Sequence, residues 1–324
     1  MVTVKWPRGL SMVILALVMV AMTGFLLISF SQESDMVVVL PTVGSLLGRK
    51  GNQDSTHAAA YVMPELDSPK VKGTIVMFGR NEQIKDVITT VKDMESNFNK
   101  RFRYPWTIVS DQTLSKDFRR GVRAAIKQDT QVNYVTVPKS QWKAPESVDS
   151  DLRDASFKFY HGEAFDANYN RFMAGFLTKV KQLANYDWYW KVSPGSVVCP
   201  KEYDVFQFMA LNNRTLGFMD GASCQGGKKS PEDEALREVA TEYSLTNKLN
   251  DYGSPLPWDC EYGDNEIGRL DFWNSKQYQD FFSSVDRQNG FFYQKWTDRA
   301  VRSYGINLLL DDGDLFWFEP CTAT

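Results

Sequence analysis

Gly73-Thr74-Ile75-Val76-Met77-Phe78-Gly79, read as GTIVMFG, decides the fold class. A short apolar run bounded by glycines has the composition of a buried strand. Arg80-Asn81-Glu82 follows it, and Asn81 is of a type that caps helices. Beyond it, Ile84, Val87, Ile88, Val91 and Met94 recur at helical spacing, which predicts a helix over 82–98. The alternation continues downstream. WTIVS (106–110) reads as a second strand, 116–127 as a second helix and VNYVTVP (132–138) as a third strand. Residues 170–184 read as helical, WYWKV (188–192) as a central strand, 202–212 as helical and LGFMD (216–220) as a strand. A charged surface helix is expected over 232–249, a strand-like EIGRLDFW over 266–273 and a helix over 277–287. Strands alternating with helices imply a mainly parallel sheet covered on both faces. The reading is one α/β domain over 69–324, without internal repeats.

Upstream the character changes. Residues 31–68 carry Pro41, Pro64 and scattered Gly and Ser, the composition of a stem that holds a domain off a surface. The VVVL run at 37–40 is apolar enough to pack on the domain. Before it stands LSMVILALVMVAMTGFLLISF, residues 10–30, without a single charge. As a helix it spans the roughly 30 Å hydrocarbon core of a bilayer. Lys5 and Arg8 precede it, while Glu33 and Asp35 follow. The basic flank keeps 1–9 cytoplasmic and sends everything after Phe30 across the membrane. A cleaved signal peptide would have an apolar core of about 7–15 residues and a small-residue cleavage site. Ser29-Phe30-Ser31 is a poor site of that kind, so the segment reads as an uncleaved signal anchor.

A net charge of −3 gives no electrostatic case for nucleic acid. Aromatic residues make up 14% of the chain; they serve a core and can also stack on sugars. Cys199, Cys224, Cys260 and Cys321 are compatible with two disulfides in an oxidising compartment, in any of three pairings. Asn213-Arg214-Thr215 is a glycosylation sequon. The two histidines, His57 in the stem and His161 in YHGE, leave no setting for a Ser-His-Asp or Cys-His site.

In open α/β sheets, ligands bind at the carboxyl ends of the strands. Arg80, Asp111 and Ser193-Pro194-Gly195 fall there. Arg80 suits a phosphate and Asp111 a base or ribose hydroxyl, although Asn81 and Asp111 are equally of helix-capping type. Asp264-Asn265-Glu266 places carboxylates beside an amide, near Phe272 and Trp273. In GFFYQKWTD (290–298), Trp296 and Asp298 suit a pyranose platform with a hydroxyl acceptor.

Together these segments resemble the fungal Golgi α-1,2-mannosyltransferases of glycosyltransferase family 15. The resemblance is carried by GTIVMFGRNEQ from Gly73, FNKRFRYPWTIVSD from Phe98, VPKSQW from Val137 and YDWYWKV from Tyr186. It continues through YDVFQFM from Tyr203, NEIGRLDFW from Asn265 and NGFFYQKWTD from Asn289. It implies a GT-A-like nucleotide-sugar-binding fold with a mainly parallel mixed sheet, behind an N-terminal transmembrane helix. It also implies GDP-mannose as donor, Mn²⁺ as cofactor, mannosylated glycoprotein or glycolipid acceptors, and transfer with retention. The location implied is the Golgi membrane, single-pass type II, with a lumenal catalytic domain. Matched positions assign Arg80, Asp111 and Arg171 to the donor, Glu266 to the catalytic carboxylate, and Trp296 and Asp298 to the sugar.

The departures concern the metal. Where the family has Arg-Val-Glu-Pro-Asp, this chain has Lys191-Val192-Ser193-Pro194-Gly195. The family's His-His-Pro-Pro segment has no counterpart in the sequence ending Phe318 to Thr324, and Arg302 stands where a histidine is usual. Asp166-Ala167-Asn168-Tyr169 replaces the family's Tyr-Arg-His-Met, and Thr297 its Trp-Gly-Asp glycine. Mn²⁺ prefers carboxylate and imidazole, so Ser193 is a poor ligand, while Arg302 or Lys191 can supply charge and Asp264 offers another carboxylate. Two functions follow: an active mannosyltransferase, or an inactive relative that binds a partner or a glycan.

Overall fold

The computed structural model describes residues 37–38, 61–65, 69–126, 129–224, 231–249 and 260–319. The expected cytoplasmic tail, anchor (10–30) and most of the stem lie outside these residues. Among the described residues no helix is long and apolar enough to cross a membrane.

A seven-stranded sheet forms the centre. Its strands are β2 (Gly73–Phe78), β3 (Trp106–Ser110), β4 (Val132–Thr136), β5 (Trp188–Lys191), β6 (Leu216–Phe218), β9 (Glu266–Arg269) and β10 (Leu315–Trp317). The order is β10-β6-β9-β5-β2-β3-β4. All neighbouring pairs are parallel except that β9 runs antiparallel to β5 and β6. The sheet is thus mixed and mainly parallel, as the strand–helix alternation requires.

Every residue of β2 is buried, because helices cover both faces. Alternate residues divide between two cores. Ile75 and Met77 pack with Val87, Val91 and Phe118 from helices Ile84–Met94 and Lys116–Ala125. Val76 and Phe78 pack with Phe172, Phe281 and Val301 from helices Ala164–Gly175, Lys276–Asp286 and Asp298–Leu309. The helix expected over 170–184 is displaced: it runs Ala164–Gly175 and gives way to 3₁₀ turns. EIGRLDFW is only half strand, since Leu270–Trp273 turns into a helical coil that folds Trp273 back under the sheet.

A second, three-stranded sheet joins β1 (Val37–Val38), β7 (Ala222–Cys224) and β8 (Cys260–Tyr262), all antiparallel. Cys224 and Cys260 are register partners and form a disulfide; Cys199 is disulfide-bonded as well. Two pieces of the expected stem therefore meet the domain. Val37–Val38 pairs with β7, and Tyr61 packs its ring against Phe208 and Phe316.

Candidate active site

Parallel strands deliver their last residues to one edge of the sheet, and an antiparallel strand delivers its first residue there. The register pairs Glu266, the first residue of β9, with Lys191 at the end of β5 and with Phe218 at the end of β6. Glu266 thereby reaches the edge where Arg80, Asp111 and Ser193 also emerge.

The loop before β9 is pinned from several directions. The backbone N–H groups of Asp264 and Asn265 donate to the Asp220 carboxylate at 3.2–3.3 Å. Burial pushes the Asp220 carboxyl above its ordinary range, and these amide bonds oppose the rise. A Cβ on Gly263 would lie 1.9 Å from Asp220 Oδ1, so the turn admits only glycine. Trp190 Nε1 donates to Asn265 Oδ1 at 2.7 Å.

Glu266 is 2% exposed. Its Oε1 accepts from the Tyr189 hydroxyl at 2.5 Å and from the Arg302 guanidinium. Trp273 Nε1 donates to the Tyr189 hydroxyl oxygen at 2.6 Å, and the Arg302 guanidinium carbon lies 3.9 Å from the Trp273 ring centroid. Burial and the adjacent Glu266 charge both push the Tyr189 phenol up, so it stays a donor. Burial acts to lower the Arg302 pKa, but Glu266 and its neighbours more than reverse this. An arginine and a phenol on one oxygen hold the buried Glu266 side chain in place.

Beside it, Lys191 Nζ donates to Asp264 Oδ1 at 2.6 Å and lies 3.9 Å from Glu266 Oε1 and 4.0 Å from Asp298 Oδ2. Ser193 Oγ donates to the other Asp264 oxygen at 2.5 Å. Burial alone would raise the Asp264 carboxyl; Lys191, with the Ser193 hydrogen bond, outweighs it and holds the group below the carboxylate range. Asp298 differs. Burial raises its carboxyl against the pull of Lys191, and its Oδ2 is buried without a hydrogen-bond partner among the described residues.

Arg80 and Asp111 come together as expected. Arg80 Nε donates to Asp111 Oδ1 at 3.1 Å, and its guanidinium lies 4.4 Å from the centre of the Phe165 ring. Neither Asn81 nor Asp111 is a helix cap. Asn81 staples the β2 loop to the β3 loop through Gln112, Thr113 and Ser115, while Ser115 caps Lys116–Ala125. Arg171 forms a two-pronged pair with Asp286 at 2.6 and 2.8 Å, joining two helices. Trp296, expected as an open sugar platform, is 3% exposed and lies over Gly290, whose added Cβ would meet the ring at 2.2 Å. Sequence reasoning missed Tyr189 and named Trp273 only as an aromatic neighbour of the Asp264–Glu266 segment. Tyr189 and Lys191 alternate on one face of an otherwise apolar strand, which is a period-two signal for a buried polar site.

The residues do not fit a divalent cation. Such an ion takes several oxygen or imidazole ligands. Ser193 spends its hydroxyl on Asp264, both Asp264 oxygens are engaged, and Gly195 contributes no side chain. Among the described residues no group of three or more His, Cys, Asp or Glu is placed to hold a metal.

With this geometry in hand, the comparisons with known proteins are specific. The family model described as glycolipid 2-alpha-mannosyltransferase matches residues 44–323. A probable mannosyltransferase of Saccharomyces cerevisiae, KTR3, is 26% identical over 97% of this chain and 82% of its own length. The X-ray structure of the mannosyltransferase Ktr4p from S. cerevisiae is similar with a TM-score of 0.74 and 26% identity, covering 82% of this chain and 74% of that one. The crystal structure of core-mannan synthase A from Aspergillus fumigatus, in an Mn/GDP form, gives a TM-score of 0.72 and 27% identity, covering 83% and 79%.

Proposed function

The chain belongs to the glycolipid 2-alpha-mannosyltransferase family, and on that premise we propose that it transfers mannose from GDP-mannose to mannosylated glycoprotein or glycolipid acceptors, with retention. By resemblance it is a mannosyltransferase of α-1,2 type. The proposal includes a GT-A-type donor site, with the nucleotide at the Arg80–Asp111 corner and the transferred sugar between Glu266 and Asp298. It also includes a type II anchor at residues 10–30 and a lumenal domain in the Golgi. The Cys224–Cys260 disulfide supports an oxidising compartment.

One observation carries the reading: a buried carboxylate, Glu266, fixed by Tyr189 and Arg302 at the carboxyl edge of the sheet. Retaining transfer needs such a group as covalent nucleophile or as the charge beside an oxocarbenium-like centre. Either duty needs the carboxylate ionised and immobile. Asp298 Oδ2, buried and without a hydrogen bond among the described residues, suits a sugar hydroxyl.

The expected outcome for Glu266→Gln is a fall in mannose transfer of at least about 100-fold, with GDP affinity by calorimetry held within about three-fold. Full transfer in the variant removes Glu266 from the mechanism. The second reading, a relative that binds glycans or a partner without transfer, is favoured by Ser193 and Gly195 and by the arginine on Glu266. It stands if the wild-type protein binds GDP-mannose and transfers nothing.

A further inference from the structure

The ammonium of Lys191 has three carboxylate oxygens around it: Asp264 Oδ1 at 2.6 Å, Glu266 Oε1 at 3.9 Å and Asp298 Oδ2 at 4.0 Å. The lysine side chain is 3% exposed, so this is an interior cage and not a surface ion pair. The three acids come from the β8–β9 loop, the start of β9 and the start of helix Asp298–Leu309. Two of them have other commitments: Asp264 to Ser193, and Glu266 to Tyr189 and Arg302. The third, Asp298, points a buried oxygen at the ammonium without any hydrogen bond among the described residues. Asp298 as a residue is 5% exposed, and this oxygen is buried on the side that faces the ammonium.

We infer that Lys191 is the built-in cation of a three-carboxylate cage, and that this site therefore excludes a divalent metal. Lys191 and Arg302 already face Glu266 Oε1, so a divalent ion would add two further charges to carboxylates whose neutralising cations are in place. An ion bound to Asp264, Glu266 and Asp298 would lie within a few ångströms of a buried ammonium in a poorly screened interior. The positions the resemblance assigns to metal acids cannot provide a separate site, since Ser193 is tied to Asp264 and Gly195 has no side chain. The GDP arm of the test below rests on the proposed nucleotide site; the metal arm does not.

The cage makes an unusual prediction about its own lysine. With the ammonium gone, three carboxylates face one vacated point and one buried arginine remains near them. Asp264 Oδ1 already lies 2.6 Å from the vacated point, and Asp298, with no hydrogen bond on Oδ2 to give up, reaches the roughly 2.0–2.6 Å at which hard cations bind by moving in about 1.5 Å from its 4.0 Å. The experiment is a Mn²⁺ titration of the purified protein followed by electron paramagnetic resonance, on wild type and Lys191→Ala, with GDP calorimetry in Mn²⁺ and in EDTA. The expected wild-type result is a free-Mn²⁺ signal undiminished by protein, and a GDP affinity equal in both buffers. Lys191→Ala is expected to bind Mn²⁺ at least about 100-fold more tightly than wild type and to gain thermal stability from it. Tight Mn²⁺ binding by wild type, or GDP binding that needs Mn²⁺, overturns the inference. So does a folded Lys191→Ala protein that binds no better than wild type. If the alanine variant does not fold, Lys191→Met keeps the volume and answers the same question. Absence of GDP binding in both buffers would sink the nucleotide reading while the metal titration still decides the cage.

Discussion

Asp264 and Asp298 face the same ammonium, and their carboxyls are displaced from the ordinary range in opposite directions. Lys191 and Ser193 hold the Asp264 carboxyl below the ordinary carboxylate range. Its contribution to stability is complete above the unfolded pKa of about 4 and is lost as pH falls from there toward the depressed native value. Burial raises the Asp298 carboxyl, so its contribution is present in acid and is lost as pH rises through the raised native value. The expected consequence is that Asp264→Asn flattens the decline in urea midpoint between about pH 5 and pH 3 relative to wild type. Equal slopes in the two proteins would show that Lys191 does not depress Asp264. The pair of sites also shows what a sequence conceals at this scale. Asp264, Glu266 and Asp298 were legible as acids of possible use, but not that one lysine serves all three. The hydroxyl of Tyr189 is reached from positions 84 and 113 residues away, Trp273 and Arg302, and only the folded chain brings them together.

At the scale of elements, β2 and β3 were legible because both faces of each are covered, which leaves unbroken apolar runs. Two of the longer helices were not. Ser150–Tyr160 buries none of its residues, so it lacks an apolar stripe. Asp298–Leu309 buries nearly all of its residues, Arg302, Ser303 and Asn307 among them, and those polar positions erase the period. Packing between elements is tight where helices Ala164–Gly175 and Lys276–Asp286 cross. A Cβ on Gly175 would meet the Phe282 ring at 2.1 Å. Gly175→Ala is therefore expected to destabilise the protein by about 1–3 kcal/mol, read from urea unfolding. An unchanged midpoint would mean that Phe282 can swing aside without loss.

The whole molecule is organised around a sheet whose spatial order departs from its chain order. The small sheet is fastened by Cys224–Cys260, which closes a loop of 36 residues. Chain entropy gives such a cross-link about 4 kcal/mol, so the double variant Cys224→Ala/Cys260→Ala should lose stability of that order in denaturant unfolding. A loss under about 1 kcal/mol would indicate an unfolded state already restrained in this region. In the large sheet, β9 separates β5 from β6, yet it is the last of the three to be synthesised. A ribosome adds about 5–20 residues per second, so the roughly 80 residues from the end of β5 to the end of β9 take about 4–16 s. Through that interval a nascent chain holds WYWK as an unclosed ledge, open to chaperones and to wrong partners. The strand that finally closes it begins with Glu266, so the ledge disappears and the carboxylate arrives in one event.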